Sequence, residues 1–337
     1  MKRWVATEPG TLGAVLAALG LDASGARAAL DDGRVFVGRT RALDIEMRIA
    51  KGAEILVHPA RDAIALPEPF VLHRGRGMLA VDKPVGLPTI PDLEGSAGTL
   101  IDLAARAIGR SRDTLQPTSR LDRDVSGVVT FALDEVARAR WEAARAAGRH
   151  RRVYLAIAPS ALALAPGLAR ATWRWSIDRD PRDPRRRRAV DPGGGSGKVA
   201  ESRVAVVRVA GPWALYALAP QTGRTHQLRV HAAAAGIPLL GDGAYGGVTR
   251  LTTSTGAVRT FRRIALHCAA VDVQLDARSD GDAAGEKISV RSPVPPELAA
   301  MLATLGLDAL GGLGGATDPI EEALRCEPWR VDGAGPG

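Results

Sequence analysis

Two carboxylates, Asp122 and Asp124, stand beside two arginines just before an apolar segment. They belong to the stretch Ser119-Arg120-Leu121-Asp122-Arg123-Asp124-Val125-Ser126-Gly127, and the apolar residues that follow predict a strand. A loop at the edge of a strand suits a catalytic group. Neighbouring arginines stabilise an ionised carboxylate, which a nucleophile needs, whereas a general acid needs a raised pKa. Taken alone, the segment favours a surface ion-pair cluster over an active site.

A second group of reactive side chains lies in residues 221–231. Thr225 occupies an N-cap position, and the segment around it carries two arginines and two histidines within about two helical turns. A phosphate or carboxylate is stabilised at such a helix start by free backbone N–H groups and by the helix dipole. The alternative is a solvated basic helix. His226 and His231 lack metal-ligand spacing and a nearby glutamate, which disfavours a zinc hydrolase.

A glycine-rich segment at residues 236–247 follows directly. It contains too many glycines for the interior of a helix or strand, so it predicts an irregular, tightly turned loop of the kind that often lines a site. Its spacing matches neither the dinucleotide fingerprint nor the P-loop. The segment therefore gives little support to a nucleotide cofactor.

The charge balance favours a polyanionic partner. The 45 lysines and arginines outnumber the 37 aspartates and glutamates, and the resulting net charge of +8 suits RNA or DNA. The alternative is a coding bias that enriches arginine and alanine. The 2 cysteines exclude a disulfide framework and a cysteine-rich zinc site. No apolar run reaches membrane-spanning length, so we expect a cytoplasmic protein without membrane association.

The elements that must position these segments predict two domains. Residues 1–60 form a compact module in which two short helices precede strands at 34–38 and 54–58. Residues 68–308 form a mixed α+β domain. Its helices are predicted at 99–108, 134–147, 225–235 and 296–305, and its strands at 128–133, 153–158, 202–209 and 264–273. Two segments are predicted to be exposed and mobile, residues 179–198 and the glycine-rich tail at 309–337.

Seven motifs, in this order across about residues 71–295, resemble the RluA family of pseudouridine synthases. They are Val81-Asp82-Lys83-Pro84-Val85-Gly86-Leu87-Pro88, Arg120-Leu121-Asp122 with Ser126-Gly127, Arg152-Val153-Tyr154-Leu155-Ala156, Gly197-Lys198-Val199-Ala200, Gly223-Arg224-Thr225-His226-Gln227-Leu228-Arg229-Val230-His231, Gly236-Ile237-Pro238 with Gly241-Asp242 and Tyr245-Gly246, and Leu266-His267 with Ser292-Pro293. Each motif alone is weak, but the ordered set is specific.

The resemblance implies a catalytic domain with a largely antiparallel mixed sheet flanked by helices, and Asp122 as its nucleophile. Asp122 attacks the ribose C1′ or the uracil C6, so that the base detaches, rotates and rejoins through C5, with no cofactor or metal. Tyr154 is expected beside the uracil, stacking on it and helping to remove the C5 proton. Arg229 is expected to pair with Asp122, with Arg224 as the second choice for that role.

The remaining motif residues complete the expected site. Those expected to bind substrate are Lys83, Arg120, Arg224, His226 and Gln227, and Arg120 and His226 are expected to support the loop or contact phosphate. His267 is expected to be structural. The chain departs from the family pattern at three positions: Ser119 stands in place of His, Val125 in place of Thr and Arg152 in place of Lys. None of these changes removes a catalytic residue, and Ser119 is expected to shift substrate preference.

The N-terminal module resembles an S4-type RNA-binding domain, through its helix-helix-strand order and its ending at Lys51-Gly52-Ala53-Glu54-Ile55-Leu56-Val57. The alternative is a small packing module that does not contact RNA. The whole pattern predicts a monomeric RNA isomerase whose partner is RNA, with ribosomal RNA favoured over transfer RNA. One alternative function is a non-catalytic RNA-binding or ribosome-assembly factor. A glycoside hydrolase using Asp122 and Asp124 is disfavoured, because few aromatic residues are available to stack on sugars.

Overall fold

A computed structural model describes residues 2–31, 34–38, 40–42, 44–58, 70–91, 98–160, 170–193, 196–252, 256–276, 285–308 and 319–325. The chain divides into two compact units. The first is Met1–Leu66 with Gly86–Leu115, and the second is Pro67–Val85 with Gln116–Gly337. The first unit therefore includes residues 86–115, which the sequence pattern assigned to the domain at 68–308.

The first unit contains three helices and six short strands among its described residues. They are α1 (Leu12–Ala18), α2 (Ala23–Asp31) and α3 (Leu100–Ala107), with β1 (Lys2–Val5), β2 (Gly10–Thr11), β3 (Val35–Val37), β4 (Thr40–Arg41), β5 (Arg48–Ile49) and β6 (Glu54–Val57). Thr11 caps α1 as predicted, and Thr99 and Asp102 form a capping box at the start of α3. The S4-like identity of this unit stays a prediction.

No single helix in the described part of the chain is long and apolar enough to cross a membrane. The helices α1 and α2 meet the length and hydropathy criteria only as a pair bent by 117°. Leu12 and Leu16 of this pair lie fully buried in the core of the first unit.

The second unit is built on a ten-stranded mixed sheet, in the order β12-β16-β17-β11-β20-β10-β8-β7, with β21 on β20 and β9 on β10. Its strands are β7 (Val71–Gly75), β8 (Met78–Lys83), β9 (Gln116–Pro117), β10 (Ser126–Ala132), β11 (His150–Pro159), β12 (Arg170–Trp173), β13 (Ser176–Arg179), β14 (Arg187–Val190), β15 (Lys198–Val199), β16 (Ser202–Ala210), β17 (Trp213–Pro220), β18 (Arg250–Thr252), β19 (Val258–Thr260), β20 (Leu266–Leu275) and β21 (Glu286–Arg291). Its helices are α4 (Glu135–Ala146), α5 (Gln227–Ala234), α6 (Pro296–Thr304) and α7 (Pro319–Arg325).

This architecture confirms the predicted mixed α+β class with a largely antiparallel sheet. Among the described strand pairs of the large sheet, β10 pairs with β20 in parallel and the other pairs are antiparallel. The predicted strands and helices of the second unit all form, with ends shifted by a few residues. The segment 236–247 is an irregular loop with one short 3-10 turn, as predicted.

One row of register partners crosses the sheet: Lys83 on β8, Gly127 on β10, Cys268 on β20, Tyr154 on β11 and Leu218 on β17. Side chains of direct register partners project from the same face of a sheet. Gly127 permits the close parallel contact, because a Cβ there would lie 2.2 Å from the Cys268 carbonyl oxygen and φ is +115°. The row therefore sets Lys83 and Tyr154 on one face.

The C-terminal tail is not uniformly flexible, which corrects the expectation for residues 309–337. Pro319–Arg325 forms helix α7, in which Ile320 and Ala323 are buried in the same core as Leu298 of α6. Glu322 of this helix also accepts a hydrogen bond from Arg208 Nε at 2.6 Å. Apolar residues three positions apart bury one face of the helix, and the charge pair fixes it to β16.

Residues 179–198 were predicted to be mobile, and the described part of this segment is instead ordered in a small three-stranded sheet. Strand β13 pairs with both β14 and β15. Ile177 of β13 is buried with Ala200, Val230 and Tyr245, so this sheet is anchored on helix α5. The arginine-rich composition suggested a solvated segment, but the buried side chain of Ile177 packs this small sheet against helix α5.

Candidate active site

Asp122 lies in the turn that leads into β10, and Lys83 braces that turn from the sheet. The Lys83 Nζ donates to the carbonyl oxygens of Pro84, at 2.9 Å, and Arg123, at 3.1 Å. Lys83 is fully buried, and burial lowers its pKa to about 7 against the opposing effect of the nearby carboxylates. The contact of Lys83 with substrate stays a prediction. Lys83 positions the loop that carries Asp122.

Helix α5 begins one residue later than its sequence motif suggested. The N-cap is His226 rather than Thr225, and His226 has a left-handed backbone with φ of 57°. A non-glycine residue pays a conformational cost there, so the surrounding contacts must hold it. This backbone turns the His226 ring towards Asp122, and its Nε2 lies 3.8 Å from Asp122 Oδ2. Burial lowers the pKa of His226.

Gln227 is buried, and its amide is fully engaged with protein groups. Its four hydrogen bonds join the Thr222 hydroxyl, the Arg224 N–H, the Glu201 carbonyl and the Ser202 hydroxyl, at 2.7 to 3.0 Å. An amide has two donors and one acceptor oxygen with two lone pairs, so these four bonds use its whole capacity. These contacts fix the start of α5, and the substrate contact of Gln227 stays a prediction.

Arg229 joins two carboxylates at the centre of the site. Its Nε and Nη2 donate to the two oxygens of Asp242 at 2.7 and 2.9 Å, and its Nη1 donates to Asp122 Oδ2 at 3.1 Å. The side chain of Asp242 is 1% exposed and that of Asp122 is 26% exposed. Asp242 thus locks the guanidinium through Nε and Nη2, which leaves Nη1 to donate to the carboxylate that solvent can reach.

The charge of Arg229 is secured by its partners. Burial works to lower its pKa, but the hydrogen bonds and charges of Asp242 and Asp122 raise the pKa above its ordinary value. A guanidinium held by three hydrogen bonds cannot rotate, so the Asp122 carboxylate is aimed as well as paired.

Tyr245 forms one wall of the site, beside Asp122, Arg229 and Asp242. Its ring lies under the Arg229 guanidinium, with 4.9 Å between the Cζ atom and the ring centroid. Its hydroxyl is 2.7 Å from His226 Nδ1 and accepts from the Arg187 N–H at 2.9 Å. One aromatic side chain therefore supports both the cation and the imidazole that face Asp122.

Tyr154 comes from the sheet and lies at a register shift in β11. Its ring is buried and its hydroxyl interacts with the Cys268 thiol. Burial is the main cause that raises the pKa of Tyr154, and the charge of Asp122 adds to the effect. The phenol is therefore neutral. Only 4% of the residue is exposed, so the predicted stacking on a base requires the side chains that cover Tyr154 to move.

A chain of buried polar side chains lies below the Asp122 turn. Ser126 accepts from Arg263 at 2.8 Å and is 2.9 Å from His267 Nδ1, and Ser292 lies 3.3 Å from His267 Nε2 and donates to Asp82 at 2.7 Å. Burial lowers the pKa of His267 to about 4 and of Arg263 to about 10, and raises that of Asp82 to about 6. His267 has the structural surroundings expected of it.

The other predicted residues occupy the rim. Arg120 is exposed two positions before Asp122. The Nε of Arg224 donates to the Val199 carbonyl at 3.1 Å, so Arg229 rather than Arg224 is the partner of Asp122. Ser119 bonds to the Thr130 hydroxyl at 3.0 Å and accepts from the Thr130 N–H at 3.1 Å, so it ties the Asp122 segment to β10.

Two site residues, Asp242 and Tyr245, were noted in the sequence only as parts of a glycine-rich motif and received no role. A signal for Asp242 existed, because an acidic residue between two glycines in an apolar loop needs a buried cation. Tyr245 offered no signal beyond its aromatic type.

The arrangement suits nucleophilic attack by a carboxylate. Asp122 is partly exposed, oriented by a fixed cation and next to an imidazole, and these features favour a positioned nucleophile over a proton donor. No group of three His, Cys, Asp or Glu residues within the described ranges could hold a metal ion.

Comparisons with known proteins agree with these observations. A family model described as RNA pseudouridylate synthase matches residues 77–234. The chain is 37% identical over 183 residues to an uncharacterised RNA pseudouridine synthase of Bacillus subtilis, which covers 54% of this chain and 59% of that protein. It is 32% identical over 250 residues to ribosomal large subunit pseudouridine synthase D of Xanthomonas campestris, which covers 71% of this chain and 70% of that protein.

A solved structure is also similar. Human RNA pseudouridylate synthase domain containing 1 superposes with a TM-score of 0.54 at 25% sequence identity, and the match covers 76% of this chain and 94% of the human chain. A second human structure, RNA pseudouridylate synthase domain containing 4, has a TM-score of 0.51 at 18% identity and shares the fold.

Proposed function

The chain belongs to the RluA family of pseudouridine synthases, isomerases that convert uridine to pseudouridine, and we propose that it isomerises uridine in RNA with Asp122 as the nucleophile. The observation that carries the proposal is the ion pair of Asp122 with Arg229, at 3.1 Å, in which Asp242 fixes the guanidinium. A fixed carboxylate enters the reaction without the entropy cost of orienting itself.

The reaction needs no external oxidant or reductant, since substrate and product are isomers. Asp122 forms a bond to the ribose C1′ or the uracil C6, and the bond between N1 and C1′ breaks. After the base rotates, a bond forms between C5 and C1′ and the bond to Asp122 breaks, which regenerates the carboxylate. The proton that leaves C5 balances the proton gained at N1.

Tyr154 and Arg229 assist at different stages. The raised pKa of Tyr154 means that a phenolate is scarce at neutral pH. Tyr154 therefore assists removal of the C5 proton by accepting it while its own hydroxyl proton passes to the uracil N1, which gains one in the product, rather than as a preformed base. Arg229 keeps its charge throughout and stabilises the carboxylate each time it is released.

The substrate that we propose is ribosomal RNA, in preference to transfer RNA. The support is the name of the Xanthomonas relative, ribosomal large subunit pseudouridine synthase D. The uridine must be extruded from its stack to reach Asp122, at a cost of about a few kcal/mol that pocket contacts recover. The net charge of +8 supplies attraction for the RNA backbone. We also propose that the enzyme acts as a cytoplasmic monomer and that its S4-like unit contacts RNA.

The test uses RNA from a strain that lacks the gene. The purified parent chain and Asp122→Asn are incubated with total RNA, and pseudouridines are mapped at nucleotide resolution. We expect new pseudouridines in large-subunit ribosomal RNA with the parent chain and a loss of at least about 10³-fold in rate with the variant. The asparagine can still accept from Arg229, so folding should be retained.

Each other outcome has a definite meaning. New pseudouridines only in transfer RNA would reject the ribosomal substrate while keeping the activity. No pseudouridine from the parent chain, together with tight RNA binding, would favour a non-catalytic RNA-binding factor. Equal activity of Asp122→Asn and the parent would reject Asp122 as the nucleophile.

A further inference from the structure

An arginine-rich hairpin lies beside the site and has no part in the reaction described above. We call residues 176–190, with strands β13 and β14 and their connecting turn, the arginine hairpin. It contains six arginines and three aspartates. We propose that the arginine hairpin binds the phosphodiester backbone of RNA next to the uridine held at Asp122. This inference rests on the proposed function and names a second contact with the same substrate.

The aspartates of the arginine hairpin are used to build it. Asp178, Asp180 and Asp183 each accept a hydrogen bond from a backbone N–H one or two residues ahead, at 2.8 to 3.0 Å. The hydrogen bonds and charges of neighbouring groups lower the pKa values of Asp178 and Asp183. These carboxylates shape the turn, as Asx turns do, and do not cancel the whole positive charge.

The arginines project into solvent. Arg182, Arg185 and Arg188 are exposed, and Arg185 has a side-chain exposure of 87% although it is also paired with Asp183. Arginine is weakly hydrated and its planar fork matches a phosphate, so a partly engaged guanidinium still gains from a phosphate contact. The surface is thus suited to a flexible polyanionic strand, whose phosphates can adapt to it.

The hairpin is fixed to the catalytic helix rather than free. Ile177 is buried with Val230 of α5, the residue next to Arg229. Gly197 lets β15 close against β13, because a Cβ there would lie 3.1 Å from the Ile177 backbone and φ is +87°. An RNA strand bound to the arginine hairpin is therefore held at a fixed distance from Asp122.

Tyr245 connects the hairpin to the site. The Arg186 guanidinium lies 5.2 Å from the Tyr245 ring centroid, and the same ring carries Arg229 at 4.9 Å. The Nε atom of Arg186 is buried and has no hydrogen-bond partner within the described residues. The Arg187 N–H donates to the Tyr245 hydroxyl, which contacts His226. RNA that contacts the hairpin would thus stabilise the wall behind Asp122.

The test compares two double variants that remove the same charge. Arg182→Ser with Arg185→Ser alters the hairpin, and Arg138→Ser with Arg145→Ser alters helix α4, where Arg145 is exposed and the partly exposed Arg138 is paired with acidic residues of its own helix, as Arg185 is paired in the hairpin. Binding of the full chain to an unmodified transcript of large-subunit ribosomal RNA is measured between about 50 and 200 mM salt. We expect the hairpin variant to bind about tenfold more weakly at low salt and to lower the salt slope by about 1.4 for two lost contacts.

The α4 variant is expected to keep the slope of the parent within about half a unit. Equal losses in the two variants would overturn the proposal, because net charge alone would then explain the binding. An unchanged slope in the hairpin variant would also overturn it, and an acidic protein would then be the better partner. This assay measures RNA affinity and does not require pseudouridine to form. The hairpin proposal can therefore hold if the isomerase proposal fails, and the isomerase proposal can hold if the hairpin proposal fails.

A conservative substitution tests the connection through Tyr245. Arg186→Lys keeps the charge and loses the planar stacking on the ring. We expect a severalfold lower single-turnover rate of pseudouridine formation at saturating RNA, with a smaller change in affinity than the hairpin double variant shows. An unchanged rate together with reduced affinity would remove the connection and reduce Arg186 to a plain phosphate contact.

Discussion

Two polar regions meet at the start of β10, and burial has opposite consequences in them. The charged cluster contains Asp122, His226, Arg229, Asp242 and Tyr245, and there the paired carboxylates raise the pKa of Arg229 despite burial. The polar chain contains Asp82, Ser126, Arg263, His267 and Ser292. In that chain burial outweighs pairing, so the pKa values of its acid, its histidine and its arginine all shift towards the neutral form.

The difference follows from how each region is partnered. A buried ion keeps its charge only where opposite charges and hydrogen bonds replace the lost water. Arg229 has two carboxylates within 3.1 Å, whereas the hydrogen bonds of His267 run to serine groups. The charge of Arg229 is thus reinforced beside Asp122, while in the polar chain burial weakens the charged forms of the groups that support the turn. The variants below test whether this division holds.

The largest effect is expected for Arg229→Met, because it leaves Asp242 buried without its cation. Breaking a buried pair from one side costs about 3–5 kcal/mol of unfolding free energy, and the loss of orientation at Asp122 should slow pseudouridine formation by at least about 10³-fold. Urea unfolding and single-turnover assays measure the two losses.

Arg229→Lys serves as its control. Lysine restores the charge without the double contact to Asp242, so most of the stability should return but little of the rate. A variant with full activity after either change would show that Asp122 does not depend on this cation.

Asp242→Asn should give the next largest effect. The substitution keeps the shape of the side chain but removes one of the two negative charges around Arg229. We expect a loss of about 10²-fold in the single-turnover rate, since Arg229 then turns towards Asp122 or solvent and no longer holds one geometry. RNA affinity should change far less than rate. A uniform loss of affinity without a loss of rate would instead make Asp242 part of the binding surface.

The polar chain should report in the pH dependence of stability. His267 has a pKa of about 4 in the folded chain against 6.5 in the unfolded chain, so the unfolded state takes up the proton first. Its contribution is complete above pH 6.5 and is lost as the pH falls towards 4. Asp82 acts oppositely, because its pKa of about 6 is above the unfolded value of 3.8, and it adds stability as the pH falls from 6 to 3.8.

His267→Gln removes one side of this balance. The stability deficit of the variant relative to the parent should shrink by about 2 kcal/mol between pH 7 and pH 5, at about 1.36 kcal/mol per pKa unit. Urea unfolding at the two pH values measures this change, and Asp82→Asn should shift the dependence in the opposite sense. A deficit that is equal at both pH values would mean that His267 is not held neutral.

The sequence predicted the second unit well where periodicity is strong. Strands β10, β11, β16 and β20 form near their predicted positions, because their apolar runs are long and their interiors are buried. The prediction that residues 179–198 and 309–337 are mobile was wrong for their described parts, because it rested on glycine and arginine content alone. Ile177 and Ile320 help to anchor polar segments, and only the three-dimensional contacts reveal their partners.

The site could be predicted only in part. Motif order suggested the pairing of Asp122 with Arg229, which lie 107 positions apart and meet at 3.1 Å. The motifs did not indicate that Lys83 and Gln227 are buried, because burial depends on contacts between distant segments. Asp242 received no role because its position between two glycines does not identify the arginine that it holds.

The smallest effect is expected for Ser292→Ala in the polar chain. Its hydroxyl donates to Asp82 at 2.7 Å and lies 3.3 Å from the His267 ring, so the change removes one donor to a buried carboxyl group and no charged partner. Asp82 can take up a proton instead, which limits the loss to about 1 kcal/mol of unfolding free energy. Equilibrium unfolding at pH 7 measures this loss, and it should shrink at pH 5, where the protonated Asp82 no longer needs the donor. A loss as large as that of Arg229→Met would mean that Asp82 is held as a full charge, and that the two regions obey the same rule.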